Sequence, residues 1–550
     1  MGHGGKYKPF PAVKLRDRQW PSRVITRAPI WCSSDLRDGN QALKVPMVVQ
    51  QKIEMFEALV GCGFKEIEVG FPSASQTEYE FVRRLIEEDM IPSDVTIQVL
   101  VQAREDLIKK TVESLAGARR VIIHMYNSTS PAQRKIVFRK EKPEVIEMAV
   151  QGTKLVKEYA KKLQEQGTEV VFQYSPESFS ATEPEFALEI CEAVMAVWQP
   201  TPQQKMIINL PETVEVATPN VYADQVEWFC THLVRRDCVI ISVHTHNDRS
   251  CAVAAAELAL LAGADRVEGT LFGNGERTGN CDIVTMALNM YTQGVEPELD
   301  FSNLEALRRV YERCTGMLVP PRQPYSGELV FTAFSGSHQD AIKKGLEARA
   351  GGPADASWEV AYLVMDPADV GRKYEGIIRV NSQSGKAGVA YLLEGCGIRM
   401  PKDMQREFGP IAGKQIDALG QEVTGEDIML MFEAEYLSKA YIDKLSSFES
   451  SSHFDGCNCT AILKLNNESQ TVMGHGNGPI DAFVNALRRA GTEVRVLDQA
   501  EHALGKGADA SAIAYVKLQL PSGAVRWGSG IDPSIDKANV KAVISALNRG

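Results

Sequence analysis

The chain has 550 residues, 44% of them apolar and 24% charged, which is the balance of a soluble globular protein and excludes a disordered or fibrous one. A net charge of −11 leaves no basic footprint for nucleic acid, and no apolar run reaches the roughly 20 residues needed to cross a bilayer, so neither partner is expected. The 11 cysteines form no CxxC and a single CxC (Cys457, Cys459), and the first residues, MGHGGKYKPFPAVKLRDRQW, hold no apolar signal core, so reduced thiols and a cytoplasmic protein are expected.

At about 150 residues per domain, three or four domains fit this length. Strand-like runs fall at Ile30–Leu36, Glu66–Gly70, Val95–Val101, Arg120–Tyr126, Glu169–Tyr174, Met206–Leu210, Cys238–His244 and Arg266–Phe272. Between them, helical periodicity marks Val48–Val60, Glu78–Glu88, Arg104–Ala116, Pro143–Gln164, Pro184–Val197, Asn220–Leu233, Cys251–Ala262 and Asp282–Tyr291. Strands alternating with helices imply a parallel sheet, because each crossover helix returns the chain to the same edge. Eight such units predict a closed (β/α)8 TIM barrel over 26–318, behind an N-terminal extension, 1–25. An open Rossmann sheet would carry an early glycine fingerprint, which is absent.

After the barrel the texture changes. LVPPRQPYSGE (318–328) reads as an exit linker, and 319–440 as small α/β linker subdomains with a hinge at Ala350, Gly351, Gly352 and Pro353. The polar run Ser446–Ser452 marks a boundary near the start of a C-terminal α+β domain, 441–550. In that domain Ala461–Leu465, Gly474–Gly478 and Pro479–Arg489 correspond to Ala514–Leu520, Gly528–Gly530 and Asp532–Arg549. Each copy reads as strands, a glycine turn and an amphipathic helix. Unless two similar helices arose independently, the repeat predicts a pseudo-twofold domain with a crevice where the copies meet.

In such a barrel the reactive groups sit where strands end. Strand one ends in Asp35 to Gln41, strand four in His124, strand five in Ser175 and Glu177, and strand six in Asn209, Pro211, Glu212 and Thr213. Strand seven ends in His244-Thr245-His246-Asn247-Asp248, and GNGERTGN (273–280) follows strand eight. His244 and His246 share one strand face, although a His-x-His pair alone is as readily two satisfied histidines as a metal site. Strands one and eight are neighbours in a closed barrel, so Asp38 and Asn280 can join both imidazoles around one ion. Mixed nitrogen and oxygen ligation without thiolates suits a catalytic Mg, Mn or Zn ion.

Arg37 reads either as a salt bridge across the barrel mouth or as an electrophile for a developing oxyanion. Glu177 is either a solvated carboxylate or a proton relay, and Thr213 either a turn cap or a hydroxyl for a substrate carboxylate. GNGERTGN lacks the GxGxxG spacing, so its glycines serve close backbone approach and not a dinucleotide. Near the C-terminus, turns at Gly476–Gly478 and Gly528–Gly530 precede helices whose free N–H groups suit a carboxylate. Asp481 and Asp536 stand nearby, either to attract an ammonium group or as ordinary first-turn acids. The combination suits a free amino acid.

The segments SSDLRDGNQAL, HMYNSTS, YSPESFS, NLPETVE, VHTHND and LFGNGERTGN together resemble the α-isopropylmalate synthases. The resemblance runs from about Arg23 to the end, through FSGSHQDAIKKG, DPADVGRKYEGIIRVNSQSGKAG and the C-terminal repeat. Homocitrate synthases, hydroxymethylglutaryl-CoA lyases and pyruvate carboxylase transferase domains share only the Arg-Asp, His-x-His and Asn elements; with citramalate synthases they are the alternative activities. The resemblance implies a transferase that condenses acetyl-CoA with 3-methyl-2-oxobutanoate and water to 2-isopropylmalate and CoA, the first committed step to leucine, in a cytoplasmic homodimer. It implies a divalent ion, Mg2+ ahead of Mn2+ or Zn2+, on Asp38, His244, His246 and Asn280, with K+ as an activator. It further implies catalysis by Arg37, Glu177, His338 and Tyr362, and a substrate pocket of Leu100, His124, Ser175, Asn209, Pro211 and Thr213. His338 lies outside the barrel and would have to fold over the mouth of its own or a partner's barrel. Leucine is implied as the allosteric inhibitor, which places Gly476, Gly478, Asp481, Gly528, Gly530 and Asp536 at its site.

Overall fold

Eight parallel strands close on themselves: β1 (Ile30–Ser33), β2 (Glu66–Gly70), β3 (Thr96–Gln102), β4 (Arg120–Ser128), β5 (Glu169–Glu177), β6 (Met206–Glu212), β7 (Val239–Thr245) and β8 (Arg266–Gly269), with β8 paired back to β1. The helices between and after them are α1 (Val49–Gly61), α2 (Gln76–Glu87), α3 (Glu105–Ser114), α4 (Lys142–Glu165), α5 (Pro184–Trp198), α6 (Pro219–His232), α7 (Ala252–Leu261), α8 (Ile283–Tyr291) and α9 (Leu304–Thr315). The structure is a computed structural model that describes residues 10–353, 356–374, 385–419, 423–437, 444–454, 456–465, 468–505 and 510–550. Residues 375–384 of the linker motif lie outside them. Two compact units result, Met1–Phe331 with Met365–Lys373, and Thr332–Val364 with Tyr374–Gly550.

Local chemistry sets the barrel helices. Pro143, Pro184 and Pro219 sit in the first turns of α4, α5 and α6, where a missing N–H costs nothing and φ is preset. Asp282 caps α8 by accepting from the Val284 amide at 3.0 Å. On the strands, alternate residues such as Val99, Ile123, Phe172 and Val243 are buried beneath the helices. The opposite set is polar: Glu68, Gln98, His124, Gln173, His244, Arg266 and Glu268 are all buried and bond to one another inside the barrel.

Strands β4 and β5 run beyond their apolar stretches because the polar ends keep pairing, down to Ser128 with Glu177. Strands β1 and β8 stop earlier than expected. Asp35–Gly39 instead forms a π-helical turn and Leu271–Gly273 a 3-10 turn.

In the second unit lie α10 (Gly336–Ala350), α11 (Gly385–Gly395), α12 (Lys402–Leu419) and α13 (Gly425–Phe432). Two antiparallel sheets follow, β9 (Lys444–His453), β10 (Gly456–Leu465) and β11 (Glu468–Gly476) with α14 (Pro479–Arg489), then β12 (Arg495–Leu504), β13 (Ser511–Gln519) and β14 (Val525–Asp532) with α15 (Ile535–Leu547). The internal repeat is thus two βββα units. Three expectations need correction. The serine-rich run 446–452, read as a boundary marker, is itself most of edge strand β9, anchored by the buried Phe448. Gly476, Gly528 and Gly530 are strand residues and not turns; of the expected turn glycines, Gly478 alone directly precedes a helix. The reason is helix approach, since a Cβ on Gly528 would lie 2.2 Å from the Ala542 carbonyl oxygen and one on Gly474 2.0 Å from that of Ala482.

The segment 319–440, expected as small linker subdomains, is divided between the two units. Met365–Lys373 joins the barrel unit, where Arg372 donates to the Gly327 carbonyl at 2.7 Å. Helices α11 to α13 share a core with the second sheet, Leu393, Phe408, Phe432 and Tyr436 packing on Ile513, Tyr515 and Trp527. Alternation along β13 explains this: Ala514, Val516 and Leu518 face the core of the paired helices and Ile513 and Tyr515 the other side.

Candidate active site

The ends of β1, β7 and β8 converge on one carboxylate oxygen. Asp38 Oδ2 lies 3.3 Å from His244 Nε2, 3.2 Å from His246 Nε2 and 2.9 Å from Asn280 Nδ2. Ligand atoms of Asp38, His244 and His246 all fall within 4.8 Å of one another, and all three residues are buried. Both imidazoles are held from behind. His244 Nδ1 donates to Glu268 Oε2 at 2.9 Å, and His246 Nδ1 to the Glu212 carbonyl oxygen at 3.3 Å. Each ring therefore turns Nε2 toward Asp38.

Electrostatics favour a cation here. Burial opposes the charge on Asp38, yet Arg37 and the two imidazoles hold its carboxyl well below the usual carboxylate range. Burial also opposes a charged His244, but Asp38 and Glu268 push it up to about 9, while burial holds His246 down. Asp38, Glu66, Glu68 and Glu268 outnumber the cations that face them, Arg37, Arg266 and, without a metal, a protonated His244. Asn280 Oδ1 is buried with no hydrogen-bond partner among the described residues. A divalent cation would supply the missing charge, and Asn280, whose amide nitrogen now faces Asp38, has an unpartnered oxygen to offer one.

Arg37 is fixed at two points, Nε 2.5 Å from Glu68 Oε2 and Nη1 2.9 Å from Asp38 Oδ1. Burial disfavours its charge, but these two carboxylates outweigh it. Glu68 also accepts from His124 Nδ1 at 2.7 Å, which turns His124 Nε2 to Ser175 Oγ, 2.7 Å away. Asn209 Nδ2 donates to the same hydroxyl at 3.0 Å. Glu177 accepts from the Ser128 hydroxyl, and Thr213 Oγ1 accepts from the Ser178 amide at 2.8 Å.

A cavity of about 250 Å³ opens over these groups. Its wall contains Arg37, Asp38, Leu100, His124, Ser175, Glu177, Asn209, Pro211, Thr213, His244 and His246, so the barrel residues singled out in the sequence come together. Asn280 reaches the cluster through Asp38. Gly279 makes the loop after β8 possible, with φ of +101° and a Cβ position that would fall 2.0 Å from the Gly273 carbonyl oxygen. Arg277 pins that loop by donating to Asp248 Oδ1 at 2.7 Å and to the Thr213 carbonyl oxygen at 2.5 Å.

His338 and Tyr362 belong to the second unit and contact each other there. The acids near the C-terminal helices have local partners: Asp481 accepts from the Asn477 amide and Asp536 from the Ser450 hydroxyl, each at 2.9 Å.

Gln41, Glu276 and Arg277, in strand-end segments the sequence reading named without giving them a role, also line the cavity; it missed Tyr126 and the supporting network of Glu68, Gln98, Gln173, Arg266 and Glu268. A signal for the network existed. Strands of a parallel barrel are covered on both faces, so the lone Gln of TIQVLV and of VVFQYS and the Glu of RVEG had to be buried polar groups needing partners.

Comparison with known proteins matches residues 28–310 to the HMGL-like family, 328–394 to the alpha-isopropylmalate synthase post-catalytic domain-like family, and 422–550 to the LeuA allosteric (dimerisation) domain. A 2-isopropylmalate synthase of Parafrankia sp. is 55% identical over 552 residues, covering 99% of this chain and 97% of that protein. One from Clostridium acetobutylicum is 53% identical, covering 99% of each. Among solved structures, the hydroxymethylglutaryl-CoA lyase of Pseudomonas aeruginosa aligns with 54% of this chain and 94% of its own at 18% identity and a TM-score of 0.42. Among the described residues, no helix is long and apolar enough to cross a membrane.

Proposed function

The chain belongs to the 2-isopropylmalate synthase family, and on that premise we propose that its barrel condenses acetyl-CoA with 3-methyl-2-oxobutanoate and water to give 2-isopropylmalate and CoA. The observation that carries this reading is the convergence of Arg37, Asp38, His244 and His246 on one cavity, in a chain alike to the synthases from end to end. Asp38, His244, His246 and Asn280 would hold a divalent ion, Mg2+ being the first candidate from the family, with Mn2+ or Zn2+ as alternatives because two of the four donors are hard oxygens and two are imidazole nitrogens. Bound there, the ion supplies Lewis-acid polarisation of the keto acid.

The protein's own groups do the rest. Leu100 and Pro211 present apolar surface for the isopropyl group, while His124, Ser175, Asn209 and Thr213 offer hydrogen bonds to the carboxylate end. Arg37, anchored by Glu68 and Asp38, faces the negative charge that grows on the C2 oxygen as the acetyl methyl carbon adds to C2. The methyl proton must leave first, and Glu177, His338 and Tyr362 are assigned to that transfer. Water then cleaves the thioester, leaving the new carboxylate and the CoA thiol. We assign leucine inhibition and dimer formation to the paired βββα units, the segment that matches the LeuA domain.

The test is thiol release from acetyl-CoA offered with a panel of 2-keto acids. Release with 3-methyl-2-oxobutanoate ahead of pyruvate and 2-oxoglutarate supports the reading. Preference for either of the others makes the chain a citramalate or homocitrate synthase.

A further inference from the structure

Glu268 takes no place on the cavity wall, yet its carboxylate is among the most heavily bonded in the barrel. One oxygen, Oε2, accepts from His244 Nδ1 at 2.9 Å. The other, Oε1, accepts from Arg266 Nη1 at 2.7 Å, Gln173 Nε2 at 2.7 Å and Gln98 Nε2 at 3.2 Å. All four residues in this knot, Glu268, Arg266, Gln173 and Gln98, have no exposure to solvent. The two oxygens therefore have different duties, one tied into the barrel floor and one free to hold an imidazole.

We propose that Glu268 is a positioning residue for the metal ligand His244, fixing its tautomer and its angle so that Nε2 carries the lone pair toward Asp38. A neutral imidazole has one N–H, and a carboxylate against Nδ1 can only accept, so the proton stays on Nδ1. Register makes the arrangement rigid, because His244 and Glu268 are direct partners on the paired strands β7 and β8. The floor also joins the two halves of the site. Gln98 Nε2 donates to Glu68 Oε1 at 2.9 Å as well as to Glu268, and Glu68 is the residue that holds Arg37 and His124. Arg266 locks this bridge from below by donating to Gln98 Oε1 at 2.8 Å. A simple charge partner for Arg266 would not need its second oxygen on the histidine.

The inference rests on the reading of Asp38, His244, His246 and Asn280 as metal ligands, and the experiment separates the two. Mn2+ is titrated into the chelator-stripped full-length chain, with free Mn2+ followed by electron paramagnetic resonance. A wild-type chain that binds no Mn2+ overturns the metal reading itself. Where the wild type binds, Glu268→Gln is expected to weaken Mn2+ by about 10- to 100-fold while saturating Mn2+ restores most of kcat. Glu268→Asp keeps the charge beside Arg266 and withdraws the oxygen from His244, so it should fold and still lose about tenfold. Gln173→Leu removes one bond to the same carboxylate and leaves His244 in place, so its Mn2+ affinity should match the wild type while its Tm falls. Unchanged affinity in a folded Glu268 variant, or an equal loss in Gln173→Leu, overturns the proposal. Nitrogen NMR of the Mg2+-loaded wild type requires no variant: a proton on His244 Nδ1 supports it and a bare Nδ1 overturns it.

Discussion

The rings of His338 and Tyr362 stack with centroids 3.9 Å apart and planes 22° apart. Tyr362 holds a left-handed φ of 65° and is 65% exposed, so a bulky residue keeps a costly backbone conformation without the burial that would normally justify it. On the proposed reading, the pair serves the proton transfer. Replacing His338 with Ala is expected to lower kcat by about 10²-fold and leave keto-acid affinity nearly intact, the scale of losing a proton-transfer group. Tyr362→Phe keeps the stack and isolates the hydroxyl. Steady-state thiol release reads both, and an unchanged kcat in His338→Ala removes that residue from the mechanism.

Arg37 spans Glu68 and Asp38 with two different nitrogens, which a single ammonium cannot imitate. Arg37→Lys should therefore cost at least about 10²-fold in kcat through lost oxyanion stabilisation. It should also lower Tm, because Glu68 is left with a buried, poorly paired charge. Activity and calorimetry on one preparation check both halves.

Removing divalent ions with EDTA should abolish turnover and lower Tm, since the acids around Asp38 are left in excess over Arg37, Arg266 and His244. Restoring Mg2+ to 100 times its Kd is expected to return about 2.7 kcal/mol. Full turnover by the stripped protein would contradict the ligand assignment.

Asp35 supplies a pH dependence independent of the cavity wall. Burial pushes its carboxyl up to about 7, against hydrogen bonds from Ser33 and the Leu271 amide. Its folded form thus keeps a proton that the unfolded chain releases near 3.8. The penalty is absent below that lower value, grows as pH rises, and is complete above about 7, so this residue makes stability fall with rising pH across that window. The full swing is worth up to about 4 kcal/mol. In Asp35→Asn the slope between the two limits should flatten, as urea unfolding at a series of pH values would show.

A chain ending just before Ser446 should keep metal binding by the barrel and lose leucine inhibition. It should also expose apolar surface, because Leu393, Phe408, Phe432 and Tyr436 lose their cover of Ile513, Tyr515 and Trp527. Dye binding and leucine titration of the residual activity follow these effects. Inhibition at the same leucine concentration would place the sensor outside the paired βββα units.

Periodicity in the sequence determined the barrel. Helical and strand spacing are local properties, and all eight β–α units were legible, some to the residue, as with α5 starting at Pro184 and β2 spanning Glu66–Gly70, while the ends of β1, β4, β5 and β8 were not. The cavity residues were legible because the ends of parallel barrel strands must meet at one mouth, so their order along the chain predicts their meeting in space. What lay beyond local pattern was decided by packing. Gly528 and Gly530 read as a turn because glycine usually ends an element, but here they let α15 press on the sheet, a demand made by residues of a later helix such as Ala538 and Ala542. Ser446–Ser452 read only as a boundary because its polarity carries no strand signal, and only pairing with β10 makes it a strand. Glu268 could be read as a buried acid in need of partners, but which partners was decided by β3, β5 and β7, which only closure of the barrel brings within hydrogen-bond distance.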